Sequence, residues 1–245
     1  MRMSEIKAVI FDLDGVITDT AEYHYLAWKR LGEELGIPFN REFNEKLKGV
    51  SRLESLELIL NHGNRQNDFT PEEKERLANK KNAHYMELIQ QVTPEDVLPG
   101  ILLFLEELRE AKIKIAMASA SKNAFTVTQS LGIMEYFDHI VDAATVAKSK
   151  PDPEVFLKAA QAIEVAPEYC VGIEDAAAGV TAIKEAGMFA VGIGDEKVLA
   201  EADVVYSTTE ELSLEKIRSL REDIPLDVKI PSSNKLIVVN FQKKD

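Results

Sequence analysis

Two aspartates set two residues apart, Asp12 and Asp14 in FDLDGVITDT (residues 11–20), are the side chains here best spaced to do chemistry together. They follow the apolar, β-branched run 6–11 (IKAVIF). By the two-residue period of a strand, both leave the chain on the same side. Neighbouring carboxylates repel each other unless a cation lies between them, and a buried charge without a partner is costly. A divalent metal resolves both problems. With Cys170 the only cysteine and no convergent histidines, all-oxygen ligation favours a single Mg2+. An isolated Asp-x-Asp is also compatible with a solvated Asp-Gly turn, so the weight falls on partners at other strand ends. Glu174-Asp175 follows the run Val171-Gly172-Ile173 and supplies a second acidic pair, although acidic residues also favour a helix N-terminus in their own right. Ser119, in MASASKN, offers a hydroxyl beside backbone N–H groups at a helix start, as a phosphate cradle would. Lys150, before Pro151, either neutralises the acidic cluster or is an exposed loop lysine. A carboxylate nucleophile, a cation, a hydroxyl cradle and a second acidic pair together suit phosphoryl transfer, which needs positioning and charge neutralisation above all.

These residues need a scaffold that brings several strand ends to one edge. Apolar runs at 113–118, 170–173 and 189–193 repeat the shape of 6–11 and stop at Ser119, Glu174-Asp175 and Gly194-Asp195. Between them lie helical patterns at 101–111, 123–131 closed by Gly132, 153–163, and 177–186 closed by Gly187. The alternation predicts an α/β fold with a doubly wound, Rossmann-like parallel sheet. Residues 20–96 break it with helical signals alone. Ser51-Arg52-Leu53-Glu54 and Thr70-Pro71-Glu72-Glu73 read as capping boxes, and Gly36-Ile37-Pro38 ends the first helix. An insert placed directly after the first strand sits over the ligand-binding edge of such a sheet, so an all-helical cap is expected at 20–96. The catalytic core is then 1–19 with 97–224. The tail 225–245, with a strand-like LIVVNF at 236–241, is an extension of unknown role.

Composition narrows the partners. The chain has 29 basic against 42 acidic side chains, a net charge of −13, which argues against nucleic acid or an anionic membrane surface. No stretch approaches the roughly 20 apolar residues of a membrane span, no signal-peptide core precedes the first strand, and one cysteine fits a reducing cytoplasm. An acidic protein that binds phosphate esters must gather its cations locally, which draws attention to basic residues near the motifs.

The segments FDLDGVITDTAEYH, LKGVSR, SASKN, SKPDP and GIEDA resemble the motif set of the haloacid dehalogenase superfamily of phosphotransferases, from residue 6 to about 220. Thr20, His24 and Lys48-Gly49-Val50-Ser51-Arg52 make it similar in particular to the sugar phosphomutases of that superfamily. The resemblance implies that Asp12 attacks phosphorus and becomes an aspartyl phosphate, while Asp14 serves as general acid and base and lends its backbone carbonyl to Mg2+. It implies Asp12, Glu174 and Asp175 as the remaining metal ligands, and Ser119, Ala120 and Lys150 around the transferring phosphoryl. Ser121, Lys122 and Asn123 would surround the second phosphate of a bisphosphate, with Arg52 gripping it from the cap and Lys81 nearby; Thr20, His24, Lys48, Gly49 and Ser55 complete the substrate set. One departure is Ala176-Ala177-Ala178, where relatives often carry a polar residue after the acidic pair. His62, His84 and His139 have no ligand spacing, Gly192-Ile193-Gly194 reads as a strand-end turn, and Trp28 reads as core packing.

Three functions compete. A mutase would move phosphoryl between the C1 and C6 oxygens of glucose, with glucose 1,6-bisphosphate as intermediate and activator. A phosphatase would discharge the same aspartyl phosphate to water, and a non-catalytic phosphosugar-binding protein would do neither. Asp14 speaks against the binder, and the basic cap residues Lys48, Arg52 and Lys81 favour the mutase. The partner expected is a small sugar phosphate, with no nucleic acid and no membrane, and the protein is expected to be a monomer.

Overall fold

The computed structural model describes residues 5–47 and 50–222; Lys48, Gly49 and the tail 225–245, for which expectations were given, lie outside the described residues. Six parallel strands form one sheet: β1 (Ala8–Phe11), β2 (Lys114–Met117), β3 (His139–Ile140), β4 (Cys170–Glu174), β5 (Phe189–Ile193) and β6 (Val204–Tyr206). Their spatial order is β3-β2-β1-β4-β5-β6, so β1 is central and the order reverses beside it. That reversal is where ligands enter sheets of this kind. Phe11 lies level with Met117 on one side and Ile173 on the other. The next residues along, Asp12 and Glu174, therefore emerge side by side, with Ser119 just beyond β2.

β1 is buried throughout, as a central strand covered on both faces must be. Val9 and Phe11 pack with Ile115, Met117, Val171 and Ile173 against the helices α5 (Ile101–Glu110), α6 (Ala124–Ser130) and α9 (Leu214–Glu222). Ala8 and Ile10 face the other way, against α7 (Glu154–Ala162) and α8 (Ala177–Glu185). The four apolar runs read from the sequence are all strands. β3 and β6 escaped notice because two and three residues are too few to display a period.

Residues 20–96 contain no strand among those described, only α1 (Ala21–Leu35), α2 (Arg41–Asn44), α3 (Arg52–His62), α4 (Pro71–Leu88) and short 3-10 turns. Gly36 closes α1 in the left-handed conformation. Thr70 and Glu73 form the full capping box of α4, with Pro71 at its start. Ser51 caps α3, and its hydroxyl donates to the Glu54 carboxylate at 2.7 Å. The cap has a core of its own, in which Trp28, Leu31 and Ile37 meet Leu56, Ile59, Leu60 and Ala78. The two chain crossings between cap and sheet are stitched together: Thr18 Oγ1 donates to the Asp96 carbonyl at 2.7 Å and Leu98 N–H to the Ile17 carbonyl at 2.9 Å. No helix among the described residues is long and apolar enough to cross a membrane.

Candidate active site

Asp12 stands one residue past β1, its backbone N–H held by the Ile173 carbonyl at 2.9 Å. Its Oδ1 accepts from Lys150 Nζ at 2.6 Å, and the same ammonium donates to Glu174 Oε2 at 3.0 Å. Lys150 and Glu174 have no side-chain exposure at all. Burial works against the Lys150 charge, but the Asp12 and Glu174 carboxylates outweigh it and raise its pKa. Burial, and then Asp12, push Glu174 well above the usual carboxylate range. Lys150 is thus the neutralising cation of this cluster, and the alternative of an exposed loop lysine is excluded.

Asp12, Glu174 and Asp175 each bring one carboxylate oxygen within 4.8 Å of the others. The donors are oxygen only, as a hard cation requires. Glu174 Oε1 is buried with no hydrogen-bond partner, an expensive state that a cation would relieve. Glycine supplies the room. A β-carbon on Gly179 would overlap the Glu174 carboxylate, and one on Gly15, whose φ of +75° already favours glycine, would overlap that of Asp175. The residues present therefore fit a divalent metal. The Asp14 carboxylate stands apart from this group. Ala176, directly after the acidic pair, is buried and makes no side-chain cap for α8.

Asp14 is tied instead to the cap. Thr20 Oγ1 donates to Asp14 Oδ1, and Thr20 in turn lies 3.0 Å from the Tyr85 hydroxyl. With Asp14 ionised, the single Thr20 proton goes to the carboxylate, so Tyr85 donates to Thr20. His24 Nε2 lies 3.8 Å from Asp14 Oδ2, and its ring stacks on Tyr85 with centroids 4.1 Å apart. Burial first, and then the charge of Asp12, raise the Asp14 pKa to about 7 against the lowering by Thr20. That is the range in which a carboxyl group can both give and take a proton near neutrality.

Lys81 Nζ lies 2.8 Å from His24 Nδ1, between the rings of Trp28 and Tyr85 at 4.7 and 4.9 Å. Burial, then Arg52, lower Lys81 to about 7, and burial, then Lys81 and Arg52, hold His24 well below its ordinary value. An ammonium can only donate, so it fixes Nδ1 as the acceptor and leaves the His24 proton on Nε2, facing Asp14.

These groups surround one cavity of about 420 Å3 between cap and sheet. The core contributes Asp12, Asp14, Asp175 and the loop Ser119, Ala120, Ser121, Lys122 and Asn123; the cap contributes His24, Arg52, Ser55 and Lys81. Within the loop, Ser119 Oγ accepts from Ser121 N–H at 3.1 Å and Ser121 Oγ from Asn123 N–H at 3.2 Å, which folds it into a tight turn. Thr20, Lys150 and Glu174 lie behind the lining. Tyr85 and Asn82 were not picked out from the sequence; one helical turn separates Tyr85 from Lys81, the only signal that pointed toward it. Trp28 packs in the cap core and also lines the cavity, beyond the packing role expected of it.

The chain is similar to several known proteins. The sequence profile of the haloacid dehalogenase-like hydrolases matches residues 6–187. The chain is 51% identical to the β-phosphoglucomutase of Bacillus subtilis over 226 residues, covering 90% of this chain and all of that one. It is 31% identical to the phosphorylated carbohydrates phosphatase of Thermotoga maritima, over 82% of this chain and 93% of that one. Its fold superposes on the crystal structure of a Clostridium difficile β-phosphoglucomutase with a TM-score of 0.87 and 48% identity, covering 89% of this chain and 97% of the other.

Proposed function

Because the chain belongs to the haloacid dehalogenase-like hydrolase family, we infer from its cleft that it is a phosphotransferase interconverting β-D-glucose 1-phosphate and glucose 6-phosphate. The observation that carries this is one cavity with Asp12 and Asp14 on its floor and Arg52 and Lys81 in its roof. A sugar carrying two phosphates needs a reacting end and a cationic end, and the cavity has both.

An Asp12 carboxylate oxygen attacks phosphorus; the bond to the sugar oxygen breaks, and that oxygen takes a proton from Asp14. The product is an aspartyl phosphate and a free hydroxyl. In the return step the C6 hydroxyl of β-glucose 1-phosphate gives its proton to Asp14 and attacks the aspartyl phosphate, which regenerates Asp12 and forms glucose 1,6-bisphosphate; the C1 phosphorus of that bisphosphate is the one Asp12 attacks in the first step, releasing glucose 6-phosphate. Lys150, buried against Asp12, holds the nucleophile in place and offsets charge on the phosphoryl. Ser119 and Ala120 cradle that group, while Arg52 with Ser121, Lys122 and Asn123 binds the distal phosphate. A guanidinium suits that task, since it stays charged and makes paired bonds to phosphate oxygens. Thr20 and His24 orient Asp14, and Lys81 contributes cationic charge to the roof. One Mg2+ per chain, held by Asp12, Glu174, Asp175 and the Asp14 carbonyl, would neutralise the phosphoryl oxygens. Glucose 1,6-bisphosphate is the intermediate and activator. The chain acts as a cytoplasmic monomer, with its cap at 20–96 and its core at 1–19 and 97–224.

Phosphatase activity on the same scaffold is the second reading, favoured by the likeness to the Thermotoga maritima enzyme. Incubation with β-glucose 1-phosphate and a trace of the bisphosphate decides between them. Glucose 6-phosphate should accumulate far faster than free phosphate; equal release of phosphate would move the assignment to the phosphatase.

A further inference from the structure

The core loop Ser119–Asn123, which would grip phosphate, is fastened to the cap by a polar side chain that the reaction itself does not require. Asn82, on α4 and next to Lys81, accepts a hydrogen bond at Oδ1 from Asn123 Nδ2 at 2.8 Å. Asn123 closes the Ser119–Asn123 turn and is itself buried.

We infer that Asn82 is a positioning residue, an amide latch through which the cap fixes the Ser119–Asn123 loop. An asparagine amide has two N–H donors. One is taken by Asn82, and the other remains for a phosphate oxygen, so the latch and the ligand do not compete for one proton. Being uncharged, Asn82 adds little electrostatic attraction for the substrate. Its contribution is to hold the Asn123 amide plane, and with it the turn, in a single orientation before the sugar phosphate arrives. Preorganisation of this kind shows in transfer to the sugar and in exclusion of water more than in raw affinity.

The test separates the latch from the mutase assignment, on which only its kinetic consequence rests. In the ligand-free full chain, hydrogen exchange of peptides spanning residues 119–130 should be about 2- to 10-fold faster in Asn82→Ala and in the bulkier Asn82→Leu, the range for loss of one net hydrogen bond. Asn82→Asp keeps an acceptor for Asn123 and should exchange like the wild type. When glucose 6-phosphate and free phosphate are followed together from β-glucose 1-phosphate, the aspartyl phosphate of Asn82→Leu should partition toward water rather than glucose 1-phosphate by a similar factor. Unchanged exchange in both Ala and Leu variants overturns the latch, whatever the substrate. Fast exchange in Asn82→Asp overturns it too, because the acceptor would then not be the cause. A raised KM without any change in exchange would make Asn82 a direct substrate contact and also overturn it. If exchange rises as expected but the wild type forms no glucose 6-phosphate, the mutase reading fails and the latch stands.

Discussion

Replacing Lys150 by methionine isolates the charge that holds the floor of the site together. The ammonium lies 2.6 Å from Asp12 and 3.0 Å from Glu174, with no side-chain exposure. Methionine keeps most of the stem and its packing near Phe156, over whose ring Nζ now lies at 5.1 Å. The loss is therefore of charge, not of volume. Removing one partner of a buried ion pair costs about 3–5 kcal/mol, a large share of the roughly 5–15 kcal/mol that stabilises an ordinary domain. Protonation of Glu174 limits the damage. Its folded pKa is already raised and rises further without Lys150. A carboxyl with a raised folded pKa contributes stability that is fully present below its unfolded pKa and lost as pH rises through the folded one. The deficit of Lys150→Met against wild type should therefore widen with rising pH. A divalent cation at Asp12, Glu174 and Asp175 supplies the missing charge, so Mg2+ should recover more stability in the variant than in the wild type, by about 1.4 kcal/mol for each tenfold gain in affinity. Urea unfolding with EDTA or with Mg2+, at two pH values, measures all of this. A variant as stable as wild type in EDTA, or one recovering no more than wild type with Mg2+, refutes the reasoning.

Asp12→Asn should form no acid-stable-to-base-labile phosphoenzyme by intact mass, because an amide is a poor nucleophile; a detectable adduct would remove Asp12 from that role. Asp14→Ala should slow transfer by about 10² to 10⁴ while glucose 6-phosphate binding by calorimetry is retained, and wild-type kcat would sink the acid–base assignment. Arg52→Ala should lose glucose 6-phosphate formation by at least about tenfold, the worth of one charge-assisted hydrogen bond, while the aspartyl phosphate still hydrolyses in water; Arg52→Lys should recover part of the loss. Lys81 has a folded pKa lowered to about 7 from 10.5 by burial and Arg52, so its charging penalises the fold increasingly as pH falls across that interval. Lys81→Met should therefore gain stability relative to wild type between about pH 10 and pH 7, and a flat difference across that window in urea unfolding would show that Lys81 is not so perturbed.

The four strands β1, β2, β4 and β5, read as apolar runs of four to six residues, were legible because each run ends at a residue type that a core would not choose: aspartate, serine, glutamate, glycine. So were the helical insert and the capping of α4, since local hydrogen-bond chemistry fixes them. β3 and β6 were not, because pairing to an existing neighbour lets a strand of two or three residues form without a pattern of its own. In the site, the acidic residues stood out by spacing along the chain. The destination of Lys150 did not, because a lysine before a proline looks the same on a surface loop as beneath Asp12. Tyr85 and Asn82 were hidden more deeply. Their roles come from the packing of α4 on α1 and over the core loop, contacts spanning 65 and 41 residues of sequence.

That packing also accounts for how an acidic protein accommodates a phosphosugar. The net charge of −13 repels a phosphate at long range, so the attraction must come from cations close to the cavity. Of these, Lys150 is already committed to Asp12 and Glu174. Lys81 is held near its titration point by burial and by Arg52, with Asp14 pulling the other way. A dianion entering between Arg52 and Lys81 relieves their mutual repulsion and raises the Lys81 pKa, so the roof becomes more cationic when a phosphate is present. The same anion also weighs on His24, which bonds Lys81 and faces Asp14. The roof cations and the acid–base carboxyl thus lie along one row of side chains, Lys81–His24–Asp14, with a hydrogen bond at its first step and a 3.8 Å approach at its second. On the roles proposed for Arg52 and Asp14, charge bound at the cap end would act on the proton-transfer group electrostatically across these three side chains.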